Sequence, residues 1–337
     1  MRDKKVNYHN IVCGNMHENL KFDGYRKLET IKSPYQELGF KNNPETDDVC
    51  FDLDGTCQIC GNYRPHYHEM RVHYAARYLE KVERALFVGG GGSMLLYELL
   101  LYPSIELIVG LELDQTVPRS SFKYFGTQPH WDNGKVEWWF GDATKSLTVL
   151  PNDYFGSFDM VLVDLSETVM SLTVTKESDV MKALSLLSKP DGIILKNEVY
   201  FKVMGDIFQH TLQYWYYDVP TICSQSMVIG SNSINFVRQE NLTDHNVPNL
   251  LIGPLDYDKH FELYHDYAWH PENREKNCVR ENDELEILPL RQIDSPGIIM
   301  IVEAEDTSVT IDSVNEMEEL LTKTISHEGF NVISTFI

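Results

Sequence analysis

Long apolar segments are missing from this sequence. No uninterrupted apolar run approaches the ~20 residues that a transmembrane helix needs. The first ten residues, MRDKKVNYHN, carry charges where a signal peptide would have its apolar core. With 337 residues and 42% hydrophobic content, the chain has enough apolar material for about two globular domains. We therefore expect a globular protein of the cytoplasm.

Cysteine is also scarce, with six residues in 337. One CxxC pair, Cys57 and Cys60, has Cys50, His66 and His68 nearby, which is part of a zinc-ligand pattern. A second CxxC pair is missing, and the thiols of a cytoplasmic protein stay reduced. The sequence therefore predicts ordinary reduced cysteines on strands and no metal site.

Positive charge is the third deficit, because 29 Lys and Arg stand against 51 Asp and Glu and the formal net charge is −22. Residues 241–337 hold 20 acidic and 6 basic residues, so −14 of that charge lies there. A surface of this sign repels phosphate backbones, which excludes nucleic acid as an expected partner.

The most informative segment that is present runs from Glu83 to Asp114. The apolar run Ala85–Val88 leads into four glycines, and leucines then recur at helical spacing, so the glycines lie between a buried strand and a helix. About twenty residues later Glu112 ends the next apolar strand, where a carboxylate can accept hydrogen bonds from both hydroxyls of a ribose. This order of strand, glycine turn, helix and acid predicts an adenosine-containing ligand.

The loop lacks the spacing of the common nucleotide motifs. Neither GxGxxG nor GK[ST] is present, which weakens the dinucleotide and ATP interpretations. Acids follow three strand-like segments, namely Glu112, Asp142 and Asp164, and the carboxyl ends of strands in an open α/β sheet face one crevice. Three carboxylates suit a cationic ligand. We therefore expect S-adenosylmethionine, whose adenine amine can donate to Asp142.

The pattern of elements predicts an α/β fold with four parts. Residues 1–66 show short apolar stretches and turn signals, which predicts a small N-terminal β-domain. Residues 67–240 alternate strand and helix patterns, as in a doubly wound Rossmann-like domain. Residues 241–296 are rich in turn-forming residues and are interpreted as a linker or excursion. Residues 297–337 predict a short α+β segment: a strand at Gly297–Ala304, a helix at Ile311–Ser326 and a strand at Phe330–Phe336.

Several short motifs, taken in order, resemble the spermidine synthase family of polyamine aminopropyltransferases, together with putrescine N-methyltransferase, which shares their fold. The motifs are SPYQ (33–36), LDGTCQ (53–58), YHEM (67–70) followed by His73, GGGG (89–92), LELD (111–114), GDA (141–143) and VDLSET (163–168). The resemblance covers roughly residues 33–238. It implies an N-terminal β-domain, a Rossmann-like domain that binds an S-adenosyl ligand, and a homodimer.

The resemblance also implies site residues. Around the nucleoside and sulfonium ligand it places Gln36, His68, Gly89, Gly90, Gly91, Gly92, Glu112, Leu113, Asp142 and Ala143. On the side of a small-molecule acceptor it places Gln58, Tyr67, Asp164 and Glu167, with Glu198 in the same crevice and Ile222 beginning the segment that matches the YPSG of the family. In this scheme Asp164 acts as general base or orienting group for an amine acceptor, and Tyr67 fixes the acceptor geometry. Glu167 completes the catalytic set.

One departure from the family decides the expected reaction. Aminopropyltransferases carry an aspartate in the loop GGGDGG, and Gly92 stands at that position. A glycine leaves room for the carboxylate of intact S-adenosylmethionine, and N–H groups at a helix N-terminus favour an anion. We therefore expect a methyltransferase acting on a small amine or thioether, with aminopropyl transfer from decarboxylated S-adenosylmethionine as the alternative. A non-catalytic ligand-binding homologue is a third hypothesis.

The last forty residues carry a second resemblance. Residues 297–336 look like the opening strand, helix and strand of prokaryotic S-adenosylmethionine decarboxylase. The serine that would become the pyruvoyl group of that family is not among them. We therefore expect no decarboxylase activity from this segment.

Overall fold

The computed structural model describes residues 24–45, 47–61, 64–197, 200–219, 223–236, 243–247, 298–304 and 330–336. The strands are β1 (Arg26–Lys32), β2 (Glu37–Asn43), β3 (Asp48–Leu53), β4 (Thr56–Cys60), β5 (Arg84–Gly89), β6 (Leu107–Glu112), β7 (Val136–Phe140), β8 (Phe158–Asp164), β9 (Ser188–Asn197), β10 (His210–Val219), β11 (Cys223–Ser231), β12 (Ile298–Ala304) and β13 (Phe330–Phe336). The helices are α1 (Arg64–Ala76), α2 (Met94–Leu99), α3 (Thr116–Phe125), α4 (Ala143–Val149), α5 (Glu167–Met170), α6 (Val180–Ser185) and α7 (Phe201–Ile207).

Strands β1 to β4 form a four-stranded antiparallel sheet, as the N-terminal pattern predicts. Its apolar face includes Leu38, Phe40 and Phe51 and packs against Val117 and Phe125 of α3. The Lys123 ammonium also lies 2.5 Å from the Glu29 carboxylate, which links α3 to β1. The small sheet is therefore attached to the helix that follows β6.

The second sheet has nine strands in the order β13-β12-β10-β11-β9-β8-β5-β6-β7. Strands β9, β8, β5, β6 and β7 are parallel, whereas β10 to β13 add antiparallel strands at one side. The buried strands of its centre are almost continuously apolar, as expected for strands covered on both faces. This arrangement confirms the expected α/β class with an N-terminal β-domain.

The order in which the chain adds parallel strands to the sheet reverses at β5. It runs from β5 to β6 and β7 on one side, then returns to place β8 on the other side of β5. In an open α/β sheet, ligands bind beyond the carboxyl ends of the strands at such a switch point. The glycine turn after β5 lies there.

Strand β9 begins at Ser188 and contains Pro190, because an irregular register against β8 accommodates the proline. Two sequence expectations lie outside the structure or differ from it. The predicted strands in 297–337 are confirmed as β12 and β13, while the predicted helix between them lies outside the described residues. Cys50 and Cys60 form a disulfide, contrary to the expectation of reduced thiols. They lie opposite each other on β3 and β4, with their Cα atoms 4.0 Å apart.

No helix within the described ranges is long and apolar enough to cross a membrane.

Candidate active site

The glycine turn, residues 89–92, packs closely against the ends of the neighbouring strands β8 and β6. A Cβ atom at Gly89 would lie 2.4 Å from the carbonyl oxygen of Asp164, and one at Gly91 would lie 2.6 Å from Glu112 Oε2. Gly89 also has a φ of 73°, in the region that favours glycine. The turn therefore brings its backbone into contact with the ends of both β8 and β6.

Gly92 differs from the other glycines of the turn. A Cβ atom there would meet only Met94 Cγ at 3.8 Å, so a side chain fits at this position. Helix α2 begins irregularly, because Ser93 has a φ of 59° and its N–H donates to the Gly90 carbonyl oxygen. The structure therefore leaves room beside Gly92, but it shows no regular helix N-terminus there that would favour the carboxylate of intact S-adenosylmethionine.

Glu112 ends β6 in a buried position, with 8% of the residue exposed. Its Oε1 accepts a hydrogen bond from the Asp114 N–H at 3.0 Å. Burial raises the pKa of Glu112 to about 7, although the backbone N–H groups of Asp114 and Gly91 act in the opposite direction. Donors from a ligand, such as ribose hydroxyls, would favour the ionised form of this carboxylate.

The remaining residues expected around a nucleoside lie beside Glu112 along the same sheet edge. Asp142 is the N-cap of α4, accepts hydrogen bonds from the Thr144 N–H and hydroxyl, and is exposed. These hydrogen bonds hold the pKa of Asp142 below its ordinary value. The Gly141 N–H donates to the Glu112 carbonyl oxygen, which joins the two strand ends. Asp142 thus keeps its charge at the solvent side of the crevice.

Gln36 and its neighbours complete this side. The Gln36 amide lies 3.5 Å from Asp114 Oδ2, so the N-terminal sheet contributes to the crevice next to Glu112. Leu113 is exposed, and Ala143 is the first residue of α4. His68 is buried on α1 beside Tyr67, with ring centroids 4.9 Å apart. The geometry groups these residues as the sequence predicts, while contact with a ligand stays a prediction.

Asp164 ends β8 and carries the densest set of contacts in the site. Its Oδ1 lies 2.7 Å from Arg71 Nη1 and accepts hydrogen bonds from the Tyr67 hydroxyl at 2.8 Å and the Asn197 amide at 3.2 Å. Its Oδ2 faces the glycine turn, 3.8 Å from where a Cβ of Gly90 would lie, and has no hydrogen-bond partner among the described residues. One oxygen is therefore held by the protein and the other faces the crevice.

Two side chains in this cluster escaped the sequence reasoning. Arg71 is fully buried and also donates to the Val163 carbonyl oxygen, and Asn197 donates to the Tyr67 hydroxyl at 3.0 Å. The available signal was that Arg71 lies four residues after Tyr67, on the same face of a helix. His73, which follows the YHEM motif, contacts Tyr102 and Glu98 through its two ring nitrogens.

The charges of this cluster set its protonation state. Burial alone would raise the pKa of Asp164, but the Arg71 guanidinium and the hydrogen bonds from Arg71 and Tyr67 outweigh it, so the pKa lies below its ordinary value. Burial raises the pKa of Tyr67 well above its usual range, so the phenol stays a neutral donor. Asp164 is therefore a fixed anion at neutral pH.

Four expected acceptor-side residues are not settled by the structure. Glu167 is the first residue of α5, which follows Asp164 closely, and its role stays a prediction. Glu198 and Ile222 lie outside the described residues. Gln58 is exposed on β4, and its amide donates to the Thr56 carbonyl oxygen at 3.2 Å. Its contact with an acceptor also stays a prediction.

Comparison with known proteins identifies the family and the fold. The spermine/spermidine synthase domain matches residues 64–240. The chain belongs to the spermine/spermidine synthase family. It is 34% identical over 185 residues to a polyamine aminopropyltransferase of Thermoanaerobacter sp. (strain X514), which covers 54% of this chain and 65% of that protein. This chain therefore spans just under two thirds of that relative.

Two further comparisons support the family and the fold. A polyamine aminopropyltransferase of Leptospira biflexa is 28% identical over 225 residues, covering 62% of this chain and 78% of the relative. The solved spermidine synthase of Thermotoga maritima has the same fold, with a TM-score of 0.54 and 21% identity over 62% of this chain and 73% of that one.

These relatives overturn the expected methyl transfer. The more similar relatives are named polyamine aminopropyltransferases, and the structural neighbours are spermidine synthases, while a putrescine N-methyltransferase of Nicotiana attenuata is 28% identical over 48% of this chain. The expectation rested on Gly92, and the structure shows no steric reason for a glycine there. The methyltransferase prediction was therefore wrong. The resemblance of residues 297–336 to a decarboxylase stays a prediction.

Breaking the Arg71–Asp164 pair should destabilise the protein through the charge that is left behind. We expect Arg71→Met to lower the free energy of unfolding at pH 7 by on the order of 3 kcal/mol, the lower end for buried pairs, because the Asp164 side chain is 22% exposed. Adding Asp164→Asn should recover much of this loss, since a neutral amide needs no counter-ion. Urea denaturation of both single variants and the double variant measures the coupling.

The effect of Arg71→Met on stability should also depend on pH, and a surface arginine provides a control. The folded pKa of Asp164 is depressed, so the pair stabilises the fold above the unfolded pKa of about 3.9 and this stability is lost as pH falls through the folded pKa. The cost of Arg71→Met should therefore shrink below about pH 4. Arg119→Met, on the exposed side of α3, should cost less than about 0.5 kcal/mol. If the losses in free energy of unfolding of Arg71→Met and Asp164→Asn simply added up in the double variant, the two residues would not interact as an ion pair.

Proposed function

We propose that this protein is an aminopropyltransferase, which moves the aminopropyl group of decarboxylated S-adenosylmethionine to a small polyamine or diamine. The proposal rests on the different surroundings of the two carboxylate oxygens of Asp164. Arg71, Tyr67 and Asn197 hold Oδ1, whereas Oδ2 faces the glycine turn that contacts Glu112. A carboxylate oxygen so placed suits an amine at the point where acceptor and nucleoside donor meet.

The chemistry requires little more than positioning. An amine nitrogen displaces the thioether sulfur from the first carbon of the aminopropyl chain, so positive charge moves from sulfur to nitrogen and the nitrogen loses a proton. Asp164 Oδ2 can accept a hydrogen bond from the attacking amine and stabilise that charge. Its lowered pKa makes it a weak base, so Asp164 orients the amine and solvent water takes up the proton that the nitrogen loses.

The nucleoside side fits the same proposal. Gly91 has no Cβ, which gives Glu112 the space to lie against the turn, and the buried carboxylate matches two ribose hydroxyls. Asp142, exposed on the next strand end, suits an adenine amine. A homodimer and a cytoplasmic location, implied by the family resemblance and by the sequence, remain predictions.

The donor is identified by the products. With putrescine as acceptor, decarboxylated S-adenosylmethionine should yield methylthioadenosine and an aminopropylated amine in equal amounts, detected by mass spectrometry. Intact S-adenosylmethionine should yield neither these products nor S-adenosylhomocysteine. Asp164→Asn should reduce the rate by about 100-fold or more, because the amine loses its charged partner. S-adenosylhomocysteine formed from intact S-adenosylmethionine would overturn the proposal, as would the absence of turnover across a panel of primary diamines and polyamines.

Nucleoside binding should depend on the charge of Glu112. Because ribose hydroxyls donate to the ionised carboxylate, the affinity for methylthioadenosine should rise as pH increases through about 7. Calorimetric titrations between about pH 6 and pH 8 should show a roughly 10-fold change. Glu112→Gln should bind more weakly and lose this dependence, while Glu106→Gln, an exposed control outside the site, should retain it. A flat profile in the unaltered protein would contradict the assigned role of Glu112.

A further inference from the structure

A second cluster of chemically active side chains lies in the N-terminal sheet. Cys50, Cys57 and Cys60 are all buried, and their sulfur atoms lie within 4.8 Å of one another. Asp48 is also buried, with 3% of the residue exposed, and its Oδ2 lies 3.8 Å from Cys50 Sγ. The four residues come from β3 and β4, and they do not take part in the site described above.

A β-bulge brings the third cysteine into the cluster. Cys50 pairs with Cys60 across β3 and β4, but the register then shifts so that Asp52 pairs with Cys57, which leaves Gln58 as the extra residue. Residues three apart on a regular strand point to opposite faces, whereas a bulge redirects one of them. Cys57 and Cys60 therefore share the buried face, with sulfur atoms 3.9 Å apart.

Asp48 supplies an oxygen on the same face. It precedes Cys50 by two residues on β3, which places both side chains on one side of the strand. The Tyr25 hydroxyl donates to Asp48 Oδ2 at 2.7 Å and so fixes the orientation of the carboxylate. A ligand carboxylate held by an outer hydrogen bond is a common feature of metal sites.

We propose that Asp48, Cys50, Cys57 and Cys60 form a tetrahedral site for a thiophilic divalent cation of the zinc type when the thiols are reduced. Zinc–sulfur bonds of about 2.3 Å in a tetrahedron separate the sulfurs by roughly 3.8 Å. The Cys57 to Cys60 separation of 3.9 Å already matches this value. Three thiolates and one carboxylate make four ligands once the Asp48 side chain moves toward Cys57 and Cys60, because only the three sulfur atoms already lie within 4.8 Å of one another. The sequence spacing Cys57-x-x-Cys60 is also a common spacing of structural zinc ligands.

The metal form and the disulfide form exclude each other. Two molecules of an external thiol reduce the Cys50–Cys60 bond to two thiols and are themselves joined as a disulfide. Zinc then displaces three protons, one from each cysteine. In either form β3 and β4 are cross-linked, which suits a four-stranded sheet too small to bury a large core of its own.

Metal analysis of the full-length chain tests this site. Protein reduced without oxygen, incubated with zinc sulfate and passed through a desalting column should retain one zinc per chain by mass spectrometry of the metal. Cobalt should replace it and give the intense sulfur-to-cobalt absorption of a tetrahedral thiolate site. Zinc should raise the thermal midpoint of the reduced protein, and a chelator should reverse that rise.

Cys57→Ser separates the metal site from the disulfide. Cys57 lies outside the Cys50–Cys60 bond, so this variant keeps the disulfide. Its zinc affinity should fall by more than the roughly 10–100-fold that follows when a residue hydrogen-bonded to a metal ligand is removed. Tyr25→Phe should cost about 10-fold. Cys13→Ser serves as the control and should bind one zinc. Failure of the reduced protein to bind zinc would overturn the proposal, as would unchanged binding by a folded Cys57→Ser variant.

Discussion

A carboxylate at the end of a buried strand keeps its charge in an apolar interior only where cations and hydrogen-bond donors meet it. Asp164 satisfies this constraint through Arg71, which is fully buried and lies 2.7 Å from Oδ1. The same guanidinium contacts the Tyr67 hydroxyl and the Val163 carbonyl oxygen, so it joins α1 to the end of β8. One ion pair therefore links α1 to the end of β8 and keeps the acceptor-side carboxylate ionised.

The pKa values of the two carboxylates, Glu112 on the nucleoside side and Asp164 on the acceptor side, are shifted in opposite directions. Glu112 has few donors relative to its burial and its pKa rises to about 7, whereas the pKa of Asp164 falls because Arg71 lies beside it. A carboxylate with a raised pKa gains most from new hydrogen-bond donors, as the two hydroxyls of a ribose would supply. A carboxylate with a lowered pKa stays charged and suits a cationic amine. The glycine turn separates them and contacts both.

Much of this fold was predictable from local patterns, because apolar runs followed by acids identify strand ends, and parallel strand ends meet at one edge of a sheet. Glu112, Asp142 and Asp164 were found in this way. Arg71 was not, because helical spacing shows which residues share a face but not what that face packs against. Gly92 was misinterpreted for a related reason: four adjacent glycines look alike in sequence, and only the packing shows that Gly91 is required by Glu112 while Gly92 has open space. The cluster at Cys57 likewise depends on a bulge that only strand pairing reveals.

In the proposed reaction Glu112 and the glycine turn bind the nucleoside, while Asp164 binds the acceptor. Calorimetry on Asp164→Asn tests this division most directly, with methylthioadenosine and putrescine titrated separately. Methylthioadenosine should bind within about 2-fold of its affinity for the unaltered protein, and the affinity for putrescine, measured with the nucleoside present, should fall about 10–100-fold because a charged hydrogen bond is lost. Equal loss of both ligands, or unchanged putrescine binding by the folded variant, would contradict the account.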